Sequence, residues 1–415
     1  WFIAGEVLNF KEAVDVNDFL LEHDISEYGK DKFRFANKSL FKLYEVIHKN
    51  KSINFFLERG ESLDKVLNVF IRVNSGGTQL SYSDLLLSIA TAQWKHKEAR
   101  EEITSFVDDV NSIGDGFNIN KDFVLKSCLV LSGFKDIAFK VDNFNQENML
   151  AIENKWDDIT KAIKLSVVLL SSLGYNRDTL TSNNALIPIS YYLYKIGSPD
   201  NFSESSKYQV DRQRIFKWLV MVLLKRTFGS QPDNVLRPIR EVINSSEGGF
   251  PLHEIIEKIK GSTNAISFDS DEIDNLLYYQ YAQAYTFSVL SFIYPSLDFR
   301  NKFHQDHIFP KKLFTRRNLE KRGINPDDIG FYLENYNYLA NLQLLEGVPN
   351  QEKSGKDFDV WIVEKYPNAK DREAYMERHY IPTIDLSLGN FRQFIEERKK
   401  LLVTAFKNLV SEKIA

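Results

Sequence analysis

The residues best suited to chemistry lie in the C-terminal part of the chain, where Asp306 and His307 are adjacent and Asn341, Asn350 and Lys353 follow. Hydrolysis of a phosphodiester needs a base that deprotonates water, a divalent cation that carries charge on the phosphate oxygens, and a group that orients the base. A hard cation such as Mg²⁺ prefers oxygen ligands, which an aspartate carboxylate and an asparagine carbonyl supply. The imidazole of His307, with an ordinary pKa of about 6.5, suits the base.

Two short strands and a helix are predicted to position these residues. The pattern at 303–309 alternates apolar and polar residues and is typical of a strand that ends at Pro310, which cannot donate a backbone hydrogen bond. A second strand within 338–345, a turn at Gly347 and a helix that opens near Pro349 would complete a strand-strand-helix unit.

Because Asp306 and His307 are adjacent, the backbone geometry between them decides whether both can serve one site. Neighbouring side chains on a strand point to opposite faces, so a kink or β-bulge is predicted if both serve one site. Between the two strands, the sequence predicts helices around 312–322 and 326–336.

In order along the chain, the motifs D-H-I-x-P, N-L-x-L-L and N-x-x-K resemble those of the HNH (ββα-metal) nucleases. The resemblance implies that Asp306 and Asn350 bind a divalent metal, Mg or Mn, and that His307 is the general base. It further implies that Asn341 orients His307 and that Lys353 is an accessory residue near the phosphate. Many family members carry a histidine where this chain has Asn350. For D-H-x-x-P alone, an ordinary strand end with a buried histidine is the alternative.

A second motif, at 69–88, reads VFIRVNSGGTQLSYSDLLLS. On one interpretation it is a tight turn at Gly76 and Gly77 followed by a helix, with Ser81 and Asp84 at capping-box spacing. On the other it is a phosphate-binding loop, for which two glycines and one asparagine are a weak signal.

The same segment resembles the later motif of the N-terminal domain in GmrSD-type, modification-dependent restriction proteins, which pair a ParB-like domain with a C-terminal HNH nuclease. The resemblance implies that Arg72, Asn74, Gly76 and Gly77 are half of a site for a nucleoside triphosphate in the full-length protein. The family's Asp-Gly-Gln-Gln-Arg motif does not occur in this chain.

Together the two motifs predict a DNA endonuclease of prokaryotic phage defence or modification-dependent restriction, which nicks or cleaves DNA, including modified DNA. The alternatives are a nucleotide-hydrolysing or modification-sensing module with a non-catalytic HNH-like segment, and a helical scaffold without chemistry.

The predicted fold is mainly α and multidomain, because 415 residues exceed what one hydrophobic core usually serves. We expect the end of an α/β, ParB-like domain at 1–104, a helical bundle at 105–290, and an HNH domain at 291–415 whose ββα unit is embedded in helices. One helix is predicted to start near Glu147, since apolar residues recur at spacings of three and four: Ile152, Trp156, Ile159, Ile163, Val167 and Leu170. Similar stripes occur at 39–49, 83–110, 208–228, 271–293 and 388–411.

Composition sets further limits on location and partners. The longest apolar run, Trp218 to Leu224, has seven residues, far short of the roughly 20 that cross a bilayer. The one cysteine, Cys128, excludes an internal disulfide and is in keeping with a reducing cytoplasm. A net charge of −4 argues against bulk electrostatic binding of nucleic acid. Composition does not decide whether the chain forms oligomers.

Two local clusters each have two interpretations. Basic residues that follow the candidate site are expected either to contact phosphates or to form a solvated face: Lys311, Lys312, Arg316, Arg317, Lys321 and Arg322. Four tyrosines are expected to pack in the helical bundle, with stacking on bases as the alternative: Tyr278, Tyr279, Tyr281 and Tyr285.

Overall fold

The computed structural model describes residues 2–51, 82–294 and 297–411. The chain divides into two compact units, Trp1–Val69 and Phe70–Ala415. The described residues are mainly helical and contain one sheet of two strands, which confirms the predicted mainly-α class. The predicted three-domain division and the α/β character of its first part stay predictions. Within the described ranges, every helix is either too short or too polar to span a lipid bilayer.

In the smaller unit, helix α1 (Asp15–Glu22) packs with α2 (Lys30–Tyr44), which a π-helical turn at Glu45–Lys49 extends. Gly29 precedes α2 with φ of 97°, a conformation that glycine adopts without strain. The buried core of this unit consists of Val7, Phe10, Val16, Leu20, Leu40 and Tyr44.

The helices of the larger unit that precede its sheet are α3 (Tyr82–Thr91), α4 (Ala99–Asn111), α5 (Lys121–Leu131), α6 (Gln146–Ser172), α7 (Leu186–Lys195), α8 (Gln209–Leu224), α9 (Pro232–Ser245), α10 (Leu252–Ile259), α11 (Ser270–Leu276) and α12 (Ala284–Ile293). Helix α6 starts within one residue of the predicted position because Asn145 caps it by accepting a hydrogen bond from the amide of Asn148. All six residues of its predicted stripe are buried.

Two predicted helical stripes are each interrupted. The stripe at 83–110 breaks between α3 and α4, where the carboxylate of Glu153 accepts hydrogen bonds from the backbone amides of Lys95, His96 and Lys97. Burial alone would raise the pKa of Glu153, but these three donors outweigh it and lower the pKa. A backbone whose amides are held by a side chain cannot use them for a helix.

The stripe at 271–293 breaks between α11 and α12 for a similar reason. The amide of Tyr281 donates to the carbonyl of Asn337 at 3.0 Å, and the amide of Leu339 donates to the carbonyl of Tyr279 at 2.9 Å. The segment of Tyr278 to Tyr281 is therefore a turn paired with another turn, and the predicted helical stripe at 271–293 does not continue through it. Tyr281 remains 38% exposed.

The C-terminal elements are β1 (Phe303–His307), α13 (Arg316–Lys321), α14 (Pro326–Asn335), β2 (Leu342–Glu346), α15 (Gly347–Lys353), α16 (Phe358–Lys365), α17 (Ala369–Arg378) and α18 (Phe391–Ser411). Strands β1 and β2 are antiparallel and both are shorter than predicted. Strand β1 ends before Pro310 because Asn341 takes over the pairing: its carbonyl accepts from Ile308 and its side-chain oxygen accepts from Phe309.

The pairing of β1 with β2 has no bulge. Every residue of β1 has one partner, with Asp306 opposite Gln343 and His307 opposite Leu342. Asp306 and His307 therefore point to opposite faces of the ribbon, and the β-bulge that a shared site was expected to need is absent from this strand pair.

The start of β2 is held by a buried arginine on α18. The Nη1 of Arg398 donates to the carbonyls of Ala340 and Leu342, both at 2.8 Å, and its Nη2 donates to the carbonyl of His379 at 3.0 Å. Because the guanidinium is fully buried, these carbonyls supply the partners that it needs. Arg398 thus fixes the residues on both sides of Asn341.

His379 gives the fold a dependence on pH. Burial lowers its pKa to about 3, and the charges of Arg398 and Arg378 act in the same direction. Its other neighbours are the hydroxyl of Tyr294 and the ring of Tyr375. Since an unfolded histidine titrates near pH 6.5, the unfolded chain binds the extra proton as the pH falls below that value. We expect this group to cost about 1.4 kcal/mol of stability per pH unit below pH 6.5.

Urea unfolding at pH 7 and pH 5 measures this loss. His379→Phe keeps a flat ring and removes the titration, so its stability should fall less between the two pH values than that of the wild type. His253→Phe is the matched control, because His253 is exposed on α10. An equal loss in wild type and His379→Phe would contradict the assignment.

Candidate metal and catalytic site

The candidate site is built on β1, β2 and α15, which follow the predicted strand-strand-helix order. Helix α15 begins at Gly347, directly after β2, so the predicted turn at Gly347 is instead the first helical position. Pro349 lies in the first turn, where its missing amide hydrogen costs no hydrogen bond. The last residue of α15, Lys353, returns to β1 and binds Asp306.

Asp306 lies on the face of the ribbon that α15 covers. Its Oδ2 accepts hydrogen bonds from Nε2 of Gln343 at 2.8 Å and from Nζ of Lys353 at 2.7 Å. Its Oδ1 accepts no hydrogen bond from any described residue. The side chain is 10% exposed, so the carboxylate is nearly enclosed with one oxygen saturated and the other unengaged.

Lys353 is fully buried and organises the site from inside. Besides Asp306, its ammonium donates to the backbone carbonyl of His307, and it lies 6.0 Å from the ring centre of Trp361. Burial lowers the pKa of Lys353, while Asp306 opposes that shift. The resemblance placed Lys353 near a phosphate, whereas the structure places its ammonium on Asp306, beneath the surface.

His307 lies on the opposite face and is 7% exposed. Its ring is 4.6 Å from that of Tyr281 and 6.1 Å from that of Tyr336, measured between centres. Its Nε2 is 3.0 Å from Oδ1 of Asn337. Because an amide oxygen only accepts, Nε2 carries the proton and Nδ1 carries the lone pair. Among the described residues, none hydrogen-bonds to Nδ1.

The electrostatic surroundings keep the imidazole neutral. Burial lowers the pKa of His307, and the hydrogen bond that its ring donates to Asn337 and the charge of Asp306 only partly offset this shift. A histidine with a pKa below 6.5 is unprotonated at neutral pH, which is the form that a general base needs.

Asn341 is fully buried, but its side chain does not bind the His307 ring. Its Nδ2 donates to the carbonyls of Phe309 and Tyr336, and its Oδ1 accepts from the amide of Phe309. It therefore fixes the backbone that leaves β1, and Asn337 is the side chain that contacts the imidazole. Asn337 is not among the residues predicted for the site, because no spacing distinguishes it from other turn residues.

Asn350 is half-buried on α15, and no described residue hydrogen-bonds to its side-chain amide. It lies three residues before Lys353, on the same side of the helix. His304 is exposed on the Asp306 face of β1, next to the start of α15. Oδ1 of Asp306 and the amide oxygen of Asn350 are hard oxygen donors, so this donor set fits Mg²⁺ or Mn²⁺ with water in the remaining positions. The described residues hold no group of three or more His, Cys, Asp or Glu side chains that could bind a metal ion.

The surface next to β1 and the residues that follow it carries cations and a cleft. All six members of the basic cluster that follows β1 are exposed, and Arg322 is paired with Asp357 at 2.7 Å. A cleft of about 420 Å³ lies beside β1, with Tyr281, Gln305 and Lys302 among the residues that line it.

The four residues of the predicted nucleotide half-site, Arg72, Asn74, Gly76 and Gly77, lie outside the described residues, as does Ser81. Nucleotide binding stays a prediction. Comparison with models of known protein families found no match, and comparison with curated proteins found none either.

Proposed function

We propose that the chain is a metal-dependent endonuclease that hydrolyses phosphodiester bonds in DNA. One observation carries the proposal: Asp306 and His307 end the same strand, and the helix of Asn350 and Lys353 is joined to both by the ammonium of Lys353. A neutral histidine with a free lone pair thus follows, on the opposite face of β1, a carboxylate with a free oxygen. This is the pair of groups that metal-assisted hydrolysis uses.

His307 acts as the base in this proposal. Its Nδ1 takes a proton from the attacking water, and the oxygen of Asn337 stabilises the positive charge that the ring then carries. The rings of Tyr281 and Tyr336 pack near the imidazole and restrict its rotation. The ring is therefore oriented before the substrate arrives.

Asp306 and Asn350 would hold the divalent cation, which neutralises charge on the phosphate and the leaving oxygen. Lys353 and Gln343 keep the carboxylate of Asp306 in place. Because Asp306 and His307 leave opposite faces of β1, the phosphodiester has to lie across the end of the strand to meet both.

DNA is the substrate that the surface favours. The exposed basic cluster directly follows the strand of His307, and lysine and arginine in such a position neutralise phosphates. Tyr281, partly exposed beside His307, offers a ring on which a base can stack. A role in phage defence or in restriction of modified DNA rests on the two sequence resemblances.

A plasmid assay with two variants of α15 tests the proposal. In Mg²⁺ or Mn²⁺ the wild type should nick supercoiled plasmid, and EDTA should stop the reaction until Mn²⁺ is added in excess. Asn350→Ala should lower the nicking rate by at least the roughly 10- to 100-fold that loss of an outer-shell partner costs. Gln351→Ala, an exposed neighbour on the same helix, is the matched control. No nicking by the wild type, or equal nicking by Asn350→Ala, would refute the proposal.

A further inference from the structure

A chain of buried hydrogen bonds links Asp306 to a helix outside the strand-strand-helix unit. Tyr375, on α17, donates from its hydroxyl to Oε1 of Gln343 at 2.7 Å. Gln343, opposite Asp306 on β2, donates from Nε2 to Oδ2 of Asp306 at 2.8 Å. Gln343 is fully buried and Tyr375 nearly so, which means that water does not compete for these bonds.

The carboxylate sets the direction of the chain. Ionised Asp306 can only accept, so the Gln343 amide has to present its nitrogen to it and its oxygen to Tyr375. The phenol must then donate. Burial raises the pKa of Tyr375 well above its ordinary value, so the hydroxyl keeps its proton. The ring is held by His379, which stacks on it with 4.2 Å between ring centres.

The chain determines which oxygen of Asp306 is free. Gln343 and Lys353 both donate to Oδ2, and two donors on one oxygen fix the rotation of the carboxylate. Oδ1 is thereby presented in one orientation. Partners of this kind, which hold a ligand without touching the metal, typically matter 10- to 100-fold for affinity or activity, as a rough range.

We propose that Tyr375 and Gln343 are positioning residues that hold Oδ1 of Asp306 ready for the divalent cation, so that α17 is part of the functional site. This inference rests on the proposed function. It differs from a packing role for Tyr375, because packing depends on the ring and positioning depends on the hydroxyl.

The test compares two tyrosines that differ in what the hydroxyl touches. Tyr375→Phe removes the donor to Gln343. Tyr332→Phe removes the hydroxyl of another buried tyrosine, which donates to the carbonyl of Gly389 at 2.8 Å. Titration calorimetry with Mn²⁺ alone gives the metal dissociation constant without DNA, nicking gives the dependence of rate on Mn²⁺, and melting in EDTA reports the fold.

Tyr375→Phe should weaken Mn²⁺ binding about 10-fold and shift the Mn²⁺ dependence of nicking equally, while the rate at saturating Mn²⁺ stays close to that of the wild type. Gln343→Met should weaken binding at least as much. Tyr332→Phe should leave the dissociation constant unchanged. Wild-type affinity in Tyr375→Phe, or an equal loss in Tyr332→Phe, would overturn the inference while leaving the endonuclease intact. A wild type that neither binds Mn²⁺ nor nicks DNA would overturn both.

Discussion

Replacement of His307 by alanine is expected to lower the rate of plasmid nicking by about 100- to 10,000-fold, the range that a general base contributes. Nδ1 of the imidazole has a lone pair that no described residue engages, and the other ring nitrogen donates to Asn337. Alanine removes the base and leaves the Asp306 face unchanged. Mn²⁺ binding, measured by titration calorimetry, should therefore survive in a variant that barely nicks.

The control and the rescue separate chemistry from folding. His253→Ala removes an exposed histidine of α10 and should nick at the wild-type rate. Because His307 is enclosed by Tyr281 and Tyr336, His307→Ala leaves a slot of imidazole shape, and added imidazole should restore part of the rate. Unchanged nicking by a folded His307→Ala variant would exclude the proposed base.

Replacement of Lys353 by methionine is expected to lower the free energy of unfolding by about 3–5 kcal/mol, the usual cost of breaking a buried ion pair from one side. The ammonium is fully buried and the carboxylate of Asp306 is nearly so. Methionine fits the length of the side chain but leaves Asp306 charged and deprived of its cation. Urea unfolding in EDTA measures the effect without any contribution from metal.

A double variant tests whether the stability lost in Lys353→Met comes from the unpaired charge of Asp306. Asp306→Asn combined with Lys353→Met removes both charges, so it should recover more than half of the stability lost in Lys353→Met. Lys365→Met is the matched control: Lys365 pairs with Glu352 at the surface, where such pairs contribute roughly 0–1 kcal/mol. A loss in Lys353→Met no greater than in Lys365→Met would show that the buried pair does not stabilise the fold.

The elements of the site could be predicted from the sequence because their signals are local. Alternation marks β1, and Pro349 marks the start of α15. The partners of the site residues could not be predicted in the same way. Asn337 is 30 residues from His307, and Tyr375 is 32 residues from Gln343. No periodicity connects residues that meet only after folding.

The helices show the same limit. Periodicity predicted α6, and all six residues of the predicted apolar stripe are buried. It did not predict the breaks in the stripes at 83–110 and 271–293. Those breaks depend on where backbone amides find partners, at Glu153 in one case and at Asn337 in the other.

The hydrogen bonds from Arg398 to the start of β2 affect the order in which the site assembles during synthesis. The carbonyls of Ala340 and Leu342 obtain their buried donor from a residue more than fifty positions later in the chain. A nascent chain that has emerged only as far as Lys353 contains every candidate catalytic and metal-binding residue, yet lacks the guanidinium that anchors β2. Domains fold as units during translation, so we expect the candidate site to take shape only after α18 has left the ribosome. During synthesis, the nascent chain therefore contains all the candidate site residues before the candidate site itself has formed.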